Sequence, residues 1–187
     1  MEGSDLIGKF GLNSLYWCKM VNQKICDFEY FKLREFNFKL IHNLVPCGYS
    51  LSKWNTSVSQ FCFLCDHNET VSHMLFECEQ IKIIWDNISQ SVNFKISLKE
   101  IICGYTNFDN SKIVKTINYI ITLVAYAIFK KNSKCKFENI EYKIESVIYQ
   151  IINDIKSFLR YIHYIGAERN FAMTKFNNVV EFFNSLD

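Results

Sequence analysis

One short segment constrains this chain more than any other: Cys62-Phe63-Leu64-Cys65-Asp66-His67-Asn68-Glu69-Thr70-Val71-Ser72-His73-Met74-Leu75-Phe76-Glu77-Cys78. Two cysteines with two residues between them make a tight knuckle, in which both sulfurs face one point and the intervening N–H groups aim at them. His73 and Cys78 supply a second pair of ligands a short loop later. Three thiolates and one imidazole form a closed tetrahedral set, which leaves no position for a substrate water. Soft sulfur ligands favour zinc over magnesium or calcium. The segment therefore predicts Zn2+ held by Cys62, Cys65, His73 and Cys78. His67 is a rival ligand, but only one residue separates it from Cys65, which strains a shared tetrahedron. His73 and Cys78 are five apart, about 140° around a continuous helix, so they would not share one face. The spacing predicts a short helix with His73 near its first turn, distorting or breaking before Cys78.

The other five cysteines are Cys18, Cys26, Cys47, Cys103 and Cys135. An odd number suits packed, reduced thiols better than a framework of bridges. The N-terminus, Met1-Glu2-Gly3-Ser4-Asp5, is acidic and has no apolar run behind a basic start, so it does not read as a secretory signal. An intracellular home, nuclear or cytoplasmic, is the expectation, and there disulfides rarely persist. The longest apolar run, Ile117 to Phe129, spans 13 residues. As a helix it would reach about 20 Å, short of the roughly 30 Å bilayer core, so it reads as a buried core helix.

One proline and six glycines in 187 residues point to long helices rather than a loop-rich sandwich. Leu33, Phe36, Leu40 and Leu44 recur at helical spacing, with Tyr30, Phe38 and Ile41 widening the stripe, so a helix is expected over Phe28–Leu44. It should stop before Pro46, with Asn43 as its terminal residue. Phe10–Met20 reads as a shorter helix. Asn55–Ser72 reads as loop. Leu75, Ile81, Ile84, Trp85 and Ile88 predict a helix within Met74–Ile88. Leu98–Cys103 should be short and end at Gly104. Ser111 is a fair N-cap for a helix to about Lys131. Ile140, Ile144, Ile148, Ile151, Ile155, Phe158 and Ile162 mark a long helix from Glu138 to Tyr164, with Glu138 and Glu141 in its first turn, ending before Gly166. It either packs on the preceding helix as a hairpin or pairs between molecules. Phe171–Phe183 is a weaker terminal helix. The predicted fold class is mainly α: a small helical domain around a CCHC zinc knuckle, followed by a long helical hairpin. The expected divisions are an N-terminal segment 1–27, a zinc-binding domain 28–90 and a helical region 91–187.

A larger phrase surrounds the knuckle. Lys32-Leu33-Arg34-Glu35-Phe36-Asn37-Phe38-Lys39-Leu40-Ile41-His42-Asn43-Leu44-Val45-Pro46 is followed by Leu51 and Trp54, then Cys62, Cys65, Glu69-Thr70, His73, Leu75, Cys78 and Trp85. This order resembles the zinc-binding domain at the C-terminal end of reverse transcriptases from LINE-type, non-LTR retrotransposons. The match covers about Tyr30 to Ile88 and continues more loosely through Ile102-Cys103-Gly104-Tyr105 to Lys130-Lys131. One departure is Met74, which stands where the family often has leucine. The resemblance implies a non-catalytic domain that accompanies a polymerase and helps it hold RNA or target DNA. It carries the metal ligands over as Cys62, Cys65, His73 and Cys78, and carries over no catalytic residue. The polymerase signature needs an Asp-Asp pair, which this sequence lacks. The chain is thus expected to be a C-terminal remnant or separate piece, with a polymerase module upstream.

Charge is distributed unevenly beneath a net +2. Lys9–Lys53 holds seven basic and three acidic residues, and Ile81–Cys135 eight basic and three acidic. Trp54–Gln80 between them has no Lys or Arg and four acids (Asp66, Glu69, Glu77, Glu79). The finger is then a poor phosphate clamp, since duplex affinity comes largely from neutralised phosphates. Nucleic-acid contacts are expected instead from Lys32, Arg34 and Lys39, with Lys130, Lys131, Lys134 and Lys136 as a second patch. Phe61 and Phe63 are candidates for stacking on single-stranded bases or for packing against the finger. The alternative function is a helical protein–protein interaction module with a purely structural zinc. A metalloenzyme is disfavoured, because four protein ligands leave no open position.

Overall fold

The computed structural model describes residues 31–92, 95–105, 111–138 and 140–164. The predicted helices at Phe10–Met20 and Phe171–Phe183, and the stop at Gly166, lie outside the described residues. Helix α1 (Phe31–Ile41) buries Leu33, Phe36, Asn37, Leu40 and Ile41. Its end is set by Asn43, which takes a left-handed φ of 54°. The N–H of Asn43 reaches the Leu40 carbonyl (3.2 Å) and that of Leu44 the Lys39 carbonyl (2.7 Å). These two bonds form a Schellman closure. The helix thus closes at Asn43 rather than running on to Leu44: beyond Asn43 the chain turns, Leu44 is exposed and Val45 enters the core, while the expected start at Phe28 lies outside the described residues.

A single turn, α2 (Gly48–Leu51), leads into the knuckle. A π-helical turn (His73–Glu77) and α3 (Glu79–Val92) follow. On α3, Ile81, Ile84, Trp85 and Ile88 are all buried, the single stripe their spacing predicts. Helix α4 (Leu98–Cys103) opens with a capping box: Ser97 Oγ accepts from the Lys99 N–H and Glu100 reaches back to the Ser97 N–H. It stops at Gly104, whose φ of 83° is open to glycine at little cost. Asn118 holds that turn, accepting from the Tyr105 N–H and donating to its carbonyl.

Helix α5 (Ser111–Glu138) is the centre of the molecule. Between Ile117 and Ile128 it is buried almost all round, because α1, α4, the π turn and α6 (Ile144–Tyr164) pack against it. Phe36 of α1 meets Tyr126 and Phe129 with ring centroids 5.3 and 5.5 Å apart. Thr122 donates to the buried Asn37 amide oxygen. The α5–α6 pair is the expected hairpin, with Val147, Ile151 and Ile155 buried.

The hairpin turns later than expected. Residues 132–138 contain no glycine or proline, and Asn132 and Cys135 continue the buried face of Ile128 at steps of four and three. The helix thus has no reason to stop at Lys131. Glu138 ends α5, Glu141 and Ile140 lie in the connection, and Glu145 occupies the first turn of α6. The buried core of the described residues draws on side chains from Leu33 to Ile155. Among the described residues there is no strand, only one isolated antiparallel bridge between Phe61 and Asn68. No described helix is long and apolar enough to cross a membrane.

Candidate metal centre

The knuckle is built from a reversed loop. The Cys62 N–H donates to the His67 carbonyl (2.7 Å), the Asp66 N–H to the Cys62 carbonyl (2.9 Å) and the Glu69 N–H to the Gln60 carbonyl (2.9 Å). Asp66 has a φ of 58°, which lets the chain turn back, and aspartate tolerates that region better than most residues. The reversal brings the Leu64 N–H to 3.4 Å from Cys62 Sγ. An N–H aimed at sulfur favours the thiolate.

The second ligand pair rides on the helical turn that begins at Val71. Thr70 Oγ1 accepts from the His73 N–H (3.1 Å), the work of an N-cap. The turn then widens: the Cys78 N–H bonds to the His73 carbonyl five residues back (3.1 Å). This is a π-type bond. At Cys78 the backbone becomes extended (ψ 130°) and the helix breaks. The distortion predicted from the five-residue spacing is therefore present. It resolves the 140° problem, because a wider turn followed by a break lets Cys78 come round to His73.

A break of this kind strands carbonyls inside the core. Two side chains satisfy them. The Trp85 indole donates to the Leu75 carbonyl (2.6 Å) and Asn132 Nδ2 to the Met74 carbonyl (3.4 Å). Trp85 comes from α3 and Asn132 from α5, so two helices hold the irregular turn in shape.

The four ligand atoms of Cys62, Cys65, His73 and Cys78 lie within 4.8 Å of one another. Cys65 Sγ is 3.2 Å from His73 Nε2 and 3.8 Å from Cys78 Sγ. Bonds of about 2.3 Å to sulfur and about 2.0 Å to nitrogen would put tetrahedral neighbours about 3.8 Å and about 3.5 Å apart. The residues present thus fit zinc in both chemistry and spacing. Burial pushes the Cys62 thiol up to about 12 and raises Cys78 as well. Burial acts upward on Cys65 too, but hydrogen bonds from His67 and the neighbouring thiols outweigh it and hold that thiol below its ordinary value. Burial lowers His73, which keeps the imidazole neutral and ready to ligate. His67 does not join the cluster. Its Nδ1 donates to the Cys65 carbonyl (2.9 Å) and its ring stacks on His73 at 5.8 Å.

The expected basic patches fare unevenly. Lys136 is withdrawn from its patch: its ammonium meets Glu69 Oε1 at 2.8 Å, with the two side chains only 12% and 3% exposed. The same carboxylate oxygen accepts from the Gly48 N–H (2.6 Å). Glu69 therefore ties the knuckle to α2 and to α5 at once, and a buried lysine cannot reach a phosphate. Lys39 pairs with Glu35 (2.6 Å) and Lys134 with Glu138 (3.9 Å), both on the surface. Such pairs are worth about 0–1 kcal/mol and exchange readily. Lys130 lies over the Tyr126 ring at 5.5 Å, and Arg34 over Phe31 at 5.8 Å. Phe63 meets Tyr142 of the hairpin connection (5.6 Å) on one side, and both Phe63 and Phe61 remain exposed. Cys47, Cys103 and Cys135 are buried, and Cys47 and Cys135 are unbridged, as packed thiols should be.

The structural roles of Glu69, Lys136, Asn132 and Gly48 carry no local sequence signal. A lone acid in a finger otherwise bare of basic residues is the one available hint. Comparison with known families supplies the context. Residues 8–85 match the family described as zinc-binding in reverse transcriptase. No curated protein and no solved structure matches the chain.

Proposed function

Starting from that reverse-transcriptase match over residues 8–85, we propose that this zinc-binding accessory domain helps a LINE-type reverse transcriptase hold RNA or DNA, without chemistry of its own. The observation that carries the reading is the family match falling on a chain whose cysteine–histidine cluster is a closed four-ligand set. Four protein ligands leave zinc a structural task. The metal would fix the knuckle, and the knuckle in turn positions α1 and the hairpin. The polymerase that such a domain accompanies would belong to another part of the same protein or to a partner.

Phosphate contacts fall to Lys32, Arg34 and Lys39 on α1 and to Lys130, Lys131 and Lys134 on α5. The interaction-module alternative relies on the last long helix pairing between molecules. That helix buries Val147, Ile151 and Ile155 within its own chain, which favours the first reading. The test is the affinity of the zinc-loaded chain for RNA as a function of salt. Removing one phosphate-binding cation should flatten the log–log slope by about 0.7 for single strands and about 0.9 for duplex. Replacing Lys32, Arg34 and Lys39 together by Ala should flatten it by about two units. An unchanged slope excludes this face as the contact surface.

A further inference from the structure

The most exposed large apolar side chain of the described residues is Trp54, at 90%. It lies three residues past the end of α2, with its N–H bonded to the Leu51 carbonyl, and follows a second exposed ring, Tyr49 (42%), by five residues. Lys53 sits one turn after Tyr49 and holds its ammonium 4.2 Å from that ring. A third ring, Phe61 (46% exposed), comes from the knuckle. Backbone packing places these groups together. A Cβ at Gly48 would lie 2.7 Å from the Ser59 carbonyl, so the chain next to Tyr49 touches the chain two residues before Phe61. The Tyr49 N–H donates to the Glu69 carbonyl, while the Glu69 N–H donates to the Gln60 carbonyl. Tyr49 and Phe61 thus flank a shared backbone seam, with Lys53 against the Tyr49 ring and Trp54 the next residue along the chain.

Three solvent-facing rings on a rigid seam are costly to leave without an occupant. The local charge points to one. From Trp54 to Cys65 the chain has no acidic residue, and the first, Asp66, follows the knuckle. Glu69, the acid closest to the seam, is already neutralised by Lys136. The surface therefore combines π faces, one cation and polar neutral side chains (Asn55, Ser57, Ser59, Gln60). Bases of any sequence stack on aromatic rings, and a nearby cation meets the backbone. We propose that Tyr49, Trp54 and Phe61, with Lys53, form a stacking platform for single-stranded nucleic acid, distinct from the basic faces of α1 and α5. This rests on the nucleic-acid reading above and adds to it the class of substrate, unpaired rather than duplex. It is compatible with a finger that is a poor phosphate clamp, because stacking uses the faces of the bases rather than neutralised phosphates.

The experiment uses the full zinc-loaded chain and a fluorescein-labelled 12-nucleotide oligouridylate, beside a 12-base-pair RNA duplex. Trp54→Ala, Tyr49→Ala and Phe61→Ala are each measured by anisotropy, with circular dichroism confirming the fold. Each ring removed should weaken single-strand binding roughly 5- to 100-fold, and change duplex binding less than about twofold. Trp54 fluorescence should be quenched by the oligonucleotide, and the quench should vanish in Trp54→Phe. Single-strand affinity unchanged in all three alanine variants overturns the platform and leaves the nucleic-acid reading standing. A parent chain that binds neither RNA overturns both. Loss of self-association in these variants, with RNA binding intact, assigns the surface to protein contact and also overturns the proposal.

Discussion

Replacing Lys136 by Met should unfold the chain far more easily than its place on a nominal basic patch suggests. The substitution keeps most of the aliphatic stem and removes the charge. Glu69 is then left 3% exposed with only the Gly48 N–H for company. Breaking a buried ion pair from one side costs about 3–5 kcal/mol, because the surviving charge has lost its partner but not its burial. The remaining Gly48 bond and the 12% exposure of Lys136 argue for the lower end, about 3 kcal/mol. With a urea slope of about 2 kcal/mol/M, the midpoint of the zinc-loaded protein should fall by about 1.5 M. Glu69→Gln should cost less, about 1–2 kcal/mol, since the amide oxygen still accepts from Gly48 and Lys136 lies nearer to water. The double variant Glu69→Gln/Lys136→Met should recover at least about 1 kcal/mol of the summed losses. A midpoint shift below about 0.3 M for Lys136→Met, or strict additivity in the double variant, would mean that this pair does not join the finger to the hairpin.

Other consequences can be checked alongside. Trp85→Phe removes the donor to the Leu75 carbonyl and should cost about 1–3 kcal/mol by urea unfolding, with an unchanged slope. Gly48→Ala should destabilise the fold, because its Cβ would press on the Ser59 carbonyl and on the Glu69 pair, and a thermal midpoint within a degree of the parent would contradict this. Zinc binding should depend on pH, because burial pushes the Cys62 thiol up to about 12 and so disfavours a bare thiolate there. With zinc bound the thiolates are needed, so affinity falls on acidification and zinc uptake at pH 7 releases protons. Calorimetry in buffers of different ionisation enthalpy reads that release, and none would count against the thiol assignment.

Much of this architecture could be read from the chain itself. The ligand set follows from spacing alone, and so does the distorted turn, because five residues do not fit one face of an α-helix. The stripes on α1, α3 and α6 follow from apolar steps of three and four. What escapes such reading depends on long-range pairing. Lys136 is one of four closely spaced lysines on α5, and nothing local distinguishes the one that turns inward to Glu69, 67 residues earlier. Asn132 and Trp85 are needed only because the π turn strands the Met74 and Leu75 carbonyls. The late hairpin turn escapes periodicity because Ile140 lies in register with the α6 stripe, while the helix it follows has no residue that would end it. The acidic total of the finger hides one such pairing: Glu69 counts as a charge in sequence and as half of an ion pair with Lys136 in the fold.

The knuckle, the π turn and the helices around them all depend on Cys62, Cys65, His73 and Cys78 holding one structural zinc. X-ray absorption at the zinc edge, on chain purified without chelator and assayed for metal content, reads that shell atom by atom. One zinc per chain is expected, with three sulfur neighbours at about 2.3 Å and one nitrogen at about 2.0 Å, and helical signal should fall when zinc is stripped. A metal-free chain that keeps its fold, or a zinc shell of five or six oxygens and nitrogens, would overturn the assignment.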